Sequence, residues 1–169
     1  MTTIIQACTI LFKHDNGKDD VITICDTPGF GDTKGKEMDI SNGLGIIHAL
    51  KCAASIKPVI VIDHRTMDGS RFSPLRKNLS TVIAMIGRES IDFSPFSYIF
   101  TRCEGKNKNR ISKQLSGFQK VVRDDPDIED KDILDLLLTD MICKTQPGEA
   151  ICIDPEEPDD APDTLKRLL

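Results

Sequence analysis

The sequence has no surplus of positive charge. Its 22 Lys and Arg stand against 27 Asp and Glu, a formal net charge of −5, which argues against a duplex-DNA binder, since such a protein needs a basic face. No stretch approaches the roughly 18 consecutive apolar residues of a membrane-crossing helix. The apolar start from Met1 to Phe12 lacks a basic leader and a small-residue cleavage site, so it reads as a strand rather than a signal peptide. The six cysteines (Cys8, Cys25, Cys52, Cys103, Cys143, Cys152) form no C-x-x-C pair and have no histidine at zinc spacing. They read as small, mostly buried thiols of a reducing, cytoplasmic setting. His14, His48 and His64 stand apart and are assigned no chemistry. No G-x-x-x-x-G-K-[ST] occurs, so the loop that grips phosphates in P-loop nucleotidases is missing from this sequence. There is no internal repeat.

What is present is ordinary globular usage, 39% hydrophobic and 29% charged over 169 residues, enough for one domain with a buried core. Ile4–Phe12 and Val21–Asp26 are β-rich runs on either side of His14-Asp15-Asn16-Gly17-Lys18. Asn-Gly between apolar runs signals a tight hairpin, because both residues accept positive φ. Beyond it the pattern alternates. Ile40, Leu44, Ile47 and Ala54 mark a helix over about 40–55. The run Pro58–Asp63 (PVIVID) is continuously apolar, as in a strand buried on both faces of a parallel sheet. Ser73-Pro74 reads as a cap and first-turn proline, Leu75, Leu79, Val82, Ile83 and Ile86 as one stripe, and Gly87 as a stop.

Phe96–Thr101 (FSYIFT) follows as a strand. Ile111, Leu115, Phe118 and Val122 mark a helix, Ile133–Ile142 another, and Ala150–Ile153 a last short strand. From Asp154 to Asp163 the chain is acidic and proline-rich, a solvated loop or linker by composition. Residues 164–169 read as the start of a helix cut off at Leu168-Leu169. The alternation predicts an α/β fold: three layers, with a mostly parallel sheet flanked by helices.

Two segments carry the candidate chemistry. Ile22-Thr23-Ile24-Cys25-Asp26-Thr27-Pro28-Gly29-Phe30-Gly31-Asp32 is an apolar strand ending in Asp-x-x-Gly. It puts the Asp26 carboxylate at a strand's carboxyl end, where ligands sit in open α/β sheets. There it is suited to hold Mg²⁺ through water, while Gly29 lets a backbone N–H approach a terminal phosphate. Tyr98-Ile99-Phe100-Thr101-Arg102-Cys103-Glu104 is a second apolar strand ending in a polar cluster. A carboxylate at Glu104 is suited to accept hydrogen bonds from guanine N1–H and the amino group, a forked geometry that rejects adenine.

In their order, these segments resemble the septin and immunity-associated (IMAP, or paraseptin) branch of the translation-factor-related P-loop GTPases. Asp26-Thr27-Pro28-Gly29 resembles the branch's second phosphate motif, with Phe30-Gly31-Asp32 closest to its septin form. Gly69-Ser70-Arg71-Phe72-Ser73 resembles the Gly-Arg-Phe-Thr stretch of the immunity-associated proteins. Phe100-Thr101-Arg102-Cys103-Glu104 resembles their base-recognition loop. The match covers roughly Thr2 to Ile153.

The resemblance implies GTP or GDP as ligand, with Asp26, Thr27, Gly29, Thr101, Arg102 and Glu104 at the nucleotide. It implies Mg²⁺ held by Asp26 through water and by a switch threonine, for which Thr3 (or Thr2) is the candidate. It also implies homo- or hetero-dimerisation across the nucleotide face. Three departures stand out. The family's first strand and phosphate loop are missing, which predicts weak or no nucleotide binding by this polypeptide and leaves two strands of the sheet without a neighbour. Glu104 replaces the commoner aspartate, and its extra length bears on the guanine contact. Phe30 stands where some relatives carry a water-orienting glutamine, so GTP hydrolysis is expected to be slow, and only in a full-length parent. No catalytic residue is assigned. Two readings follow: a truncated GTP-binding switch protein, or a non-hydrolysing pseudo-GTPase module that uses this face to pair with another domain.

Overall fold

A computed structural model describes residues 6–13, 19–27, 36–67, 72–87, 92–103 and 108–153. Strands β1 (Gln6–Lys13) and β2 (Asp19–Asp26) pair antiparallel, so the two runs flanking Asn16-Gly17 do form a two-stranded ladder. Helix α1 (Lys36–Cys52) follows. Then come strand β3 (Val59–Asp63), a 3-10 turn over His64–Met67, helix α2 (Ser73–Ile86), strand β4 (Ser97–Thr101), helices α3 (Lys108–Asp124) and α4 (Lys131–Lys144), and strand β5 (Ile151–Ile153). The last three strands make a parallel sheet in the order β3-β4-β5. The fold is therefore α/β, with a three-stranded parallel sheet flanked by helices, a layout compatible with Rossmann-like and P-loop-like proteins. The chain forms two compact units, Met1–Ser55 and Ile56–Leu169.

In the second unit, register explains the core. Ile62, Phe100 and Cys152 are level across β3, β4 and β5, and because side chains alternate along a strand they share one face. That face, with Ile60 and Tyr98, packs on Leu75, Leu79 and Ile83 of α2, Ile111, Leu115, Phe118 and Val122 of α3, and Leu134, Leu137, Leu138 and Met141 of α4. The α3 residues fall at helical spacing and are fully buried, as the sequence predicts. The opposite face carries Val59, Val61, Ile99, Ile151 and Ile153. A polar anchor holds the start of β4. Lys144 Nζ donates to the carbonyls of Phe93, Ser94 and Phe96, each at 2.9 Å, and pairs with Asp140 at 2.9 Å. Asp140 also accepts the Tyr98 hydroxyl at 2.6 Å.

Several sequence expectations are corrected. PVIVID is not buried on both faces: among the described residues β3 pairs with β4 alone, and Val59 and Val61 are exposed. A continuous apolar run identifies a strand but not its place in the sheet. Ser73 does not cap α2. It is the first helical residue, and Phe72 precedes it in the left-handed region (φ 54°) with no side-chain cap bond. Pro74 does fall in the first turn, and Gly87 does end the helix, at φ 95° with its N–H on Ile83 O; that φ favours a residue without Cβ. In α1 the stripe through Leu44 and Ala54 does not hold: Leu44 is exposed, Ile46 is buried, and Ala54 lies past the helix end. The thiols are not mostly buried either. Cys8 and Cys25 on the hairpin and Cys52 and Cys143 on helices are exposed, Cys152 on β5 is half-buried, and only Cys103 is buried. The acidic stretch 154–163 and residues 164–169 lie outside the described residues. No described helix is long and apolar enough to cross a membrane.

Candidate functional site

Parallel pairing brings the carboxyl ends of β3 and β4 together. Asp63 is level with Thr101, so the residues that follow each strand emerge side by side at the sheet edge where α/β folds take ligands. The Asp63 carboxylate organises this edge. Its Oδ2 accepts from Arg102 Nη1 at 2.8 Å and from Arg65 Nη2 at 2.8 Å. Its Oδ1 accepts the Arg65 backbone N–H at 3.0 Å and Arg65 Nε at 3.2 Å. Thr66 Oγ1 donates to the Asp63 carbonyl at 2.7 Å, fixing the turn that carries Arg65.

Arg102 sits at φ 54°, a left-handed conformation uncommon outside Gly, Asn and Asp. This kink falls at the end of β4. It also places the guanidinium over Asp63. Both arginines are largely exposed, so each pair contributes only about 0.2–1 kcal/mol, and their effect is to orient. Beneath them the edge is closed by buried side chains. His64 is buried and hydrogen-bonded through Nε2 to Gln114 Oε1 of α3 at 3.1 Å, and Cys103 is buried beside the core. His64 thus holds the 3-10 turn to α3. Two cations are thus set on one carboxylate, with Thr101 level with Asp63 on the neighbouring strand.

Of the sequence-predicted site residues, Thr101 and Arg102 lie together here. Asp26 is the last residue of β2, opposite Gln6, and Thr27 follows it, both exposed. These two belong to the first unit. Gly29, Glu104 and Thr3 lie outside the described residues. Among the described residues no three His, Cys, Asp or Glu side chains cluster as a metal site. Asp63 and Arg65 were not foreseen. The signal was available, since PVIVID ends an apolar strand on a carboxylate just as Ile22–Asp26 does. No protein-family model matches the chain, and no curated protein or solved structure matches it.

Proposed function

We propose that this chain is the core of a guanine-nucleotide-binding domain of the septin and immunity-associated type, with weak nucleotide binding in the polypeptide as it stands. The observation that carries the proposal is the placement of Thr101-Arg102 at the carboxyl end of the central strand of a parallel sheet, oriented by Asp63. In this reading Thr101, Arg102 and Glu104 form the base-recognition loop. Asp26, Thr27 and Gly29 form the second phosphate motif. Asp26 holds Mg²⁺ through water, with Thr3 as the switch threonine. Bound Mg²⁺ would neutralise phosphate charge. Glu104 accepts from guanine. Dimerisation across this face, and GTP hydrolysis in a full-length parent, belong to the same proposal.

Affinity follows from the missing phosphate loop. About four or five charge-assisted bonds at about 1.5–3 kcal/mol each amount to roughly 7 kcal/mol or more. That is on the order of five decades in affinity, so nanomolar binding becomes roughly millimolar.

The test is metal-dependent GTP affinity, measured for the wild type and Asp26→Asn with Mg²⁺ and with a chelator. Asparagine makes similar turn bonds without the charge. The substitution should therefore remove most of the Mg²⁺-dependent gain and leave the chelator value nearly unchanged. An equal gain in both proteins reduces Asp26 to a turn residue. Sub-micromolar GTP binding by the wild-type chain contradicts the affinity argument, and equal competition by ATP contradicts the role of Glu104.

A further inference from the structure

Helix α1 ends at Cys52, with His48 four residues before it. Residues four apart on a helix stack on one face, and here the two side chains meet. Cys52 Sγ lies 3.8 Å from His48 Nε2. Both residues are exposed. This contact corrects the expectation that His48 stands apart and that no histidine lies at zinc spacing from a cysteine. His-x-x-x-Cys matches the spacing of the helical ligand pair in zinc fingers, with a thiol in place of the second imidazole.

We propose that His48 and Cys52 bind a single Zn²⁺ ion, which clips the last turn of α1. The separation of the two atoms supports this. Zinc sits about 2.3 Å from sulfur and about 2.0–2.1 Å from nitrogen, so an ion bridging a 3.8 Å gap subtends about 120°. The tetrahedral angle of roughly 109° needs the atoms to close by only about 0.2–0.3 Å. Chemistry selects the class of metal. Thiolate and imidazole together suit zinc, whereas Mg²⁺ and Ca²⁺ take oxygen ligands, so this site is distinct from the one proposed at Asp26.

Position agrees with charge. The last carbonyls of a helix carry a partial negative charge that favours a cation at its carboxyl end. With two protein donors the site is open, water completes the zinc shell, and binding is weaker than in a closed four-ligand site. The role of the ion follows from geometry within α1 alone. The donors hold this separation only while the turn is helical, so zinc binds the helical form and stabilises it. That stabilisation falls where packing is sparse, since α1 buries Ile46 alone among its described side chains. Small, thinly packed units commonly gain support from a metal.

Titration of the reduced full chain with Co²⁺ tests the proposal. A thiolate on Co²⁺ gives a charge-transfer band in the near ultraviolet, where a chain with one tyrosine and no tryptophan absorbs little. The expected band saturates at one metal per chain and bleaches as Zn²⁺ displaces Co²⁺. Cys52→Ser and His48→Gln should each weaken binding at least tenfold, whereas Cys8→Ser and Cys143→Ser should leave it unchanged. If a variant misfolds, amide exchange in the wild type decides. Zn²⁺ at about ten times its dissociation constant should slow exchange at residues 48–52 by about tenfold and leave α3 unchanged. Three results overturn the proposal: no thiolate band at millimolar Co²⁺, full-strength binding in either Cys52→Ser or His48→Gln, or zinc protection that falls outside the last turn of α1.

Discussion

The two compact units of this chain differ in what holds them. In residues 56–169 one face of a parallel sheet and three helices share a core of fully buried side chains, and even the polar anchor at Lys144 is closed by three carbonyls and a carboxylate. In residues 1–55 the hairpin has a complete ladder of pairs, yet Leu11, Val21 and Ile24 are exposed, and α1 buries Ile46 alone among its described side chains. A two-stranded ribbon without a packed face is marginally stable at best. The segment richest in chemical signal, Asp26 to Asp32, thus begins in the unit with less packing, while the unit that packs well supplies Thr101 and Arg102. Stability and ligand chemistry are argued from different parts of the chain.

The largest expected effect is in amide hydrogen exchange. Core amides of α3, α4 and β4 open only with the global free energy, whereas the hairpin opens locally. Protection should differ by at least about a thousandfold. Comparable protection in β1/β2 and α3 would break the contrast. Side-chain truncation should follow the same division. Phe118→Ala empties a site in the core and should cost about 3–5 kcal/mol, while Leu11→Ala, on an exposed strand position, should stay within about 0.5 kcal/mol. Chemical denaturation of both variants measures the difference.

A smaller effect is expected at the anchor. Lys144→Met keeps the stem but removes the charged donor shared by three carbonyls and Asp140, and should cost about 1.5–3 kcal/mol. A melting temperature equal to wild type would show those groups satisfied without it. The smallest effect concerns Tyr98, whose phenol is held well above its ordinary pKa by burial first and by Asp140 next. Its folded pKa exceeds the unfolded value, so its stabilising contribution is complete below about pH 10 and is lost as pH rises beyond it. Tyr98 is the single tyrosine and there is no tryptophan, so absorbance near 295 nm reads it alone. Phenolate should appear only with unfolding, and a transition near pH 10 in intact protein would contradict the burial.

Sequence periodicity was informative where burial is one-sided. Ile111, Leu115, Phe118 and Val122 predict the buried stripe of α3, and the Asn16-Gly17 signal predicts the hairpin, because local spacing alone decides both. It was uninformative where position depends on neighbours. PVIVID reads the same at an edge as at a centre, Ser73 shifts from cap to first turn when Phe72 takes the left-handed conformation, and a cysteine's exposure depends on what packs over it. At the site, Thr101 and Arg102 were legible as a strand end. The pairing of Arg102 with Asp63 joins residues far apart in sequence and follows from the parallel register, which no local pattern encodes.

The most direct measurement for the nucleotide reading is a titration of ¹⁵N-labelled chain with Mg²⁺-GTP and, separately, Mg²⁺-ATP at millimolar concentration, following every backbone amide. The account predicts saturable shifts at Asp26, Thr27, Thr101, Arg102 and Glu104 with GTP, and clearly weaker ones with ATP. Shifts of equal size with both nucleotides, or shifts confined to residues away from the carboxyl ends of β2 and β4, would contradict it.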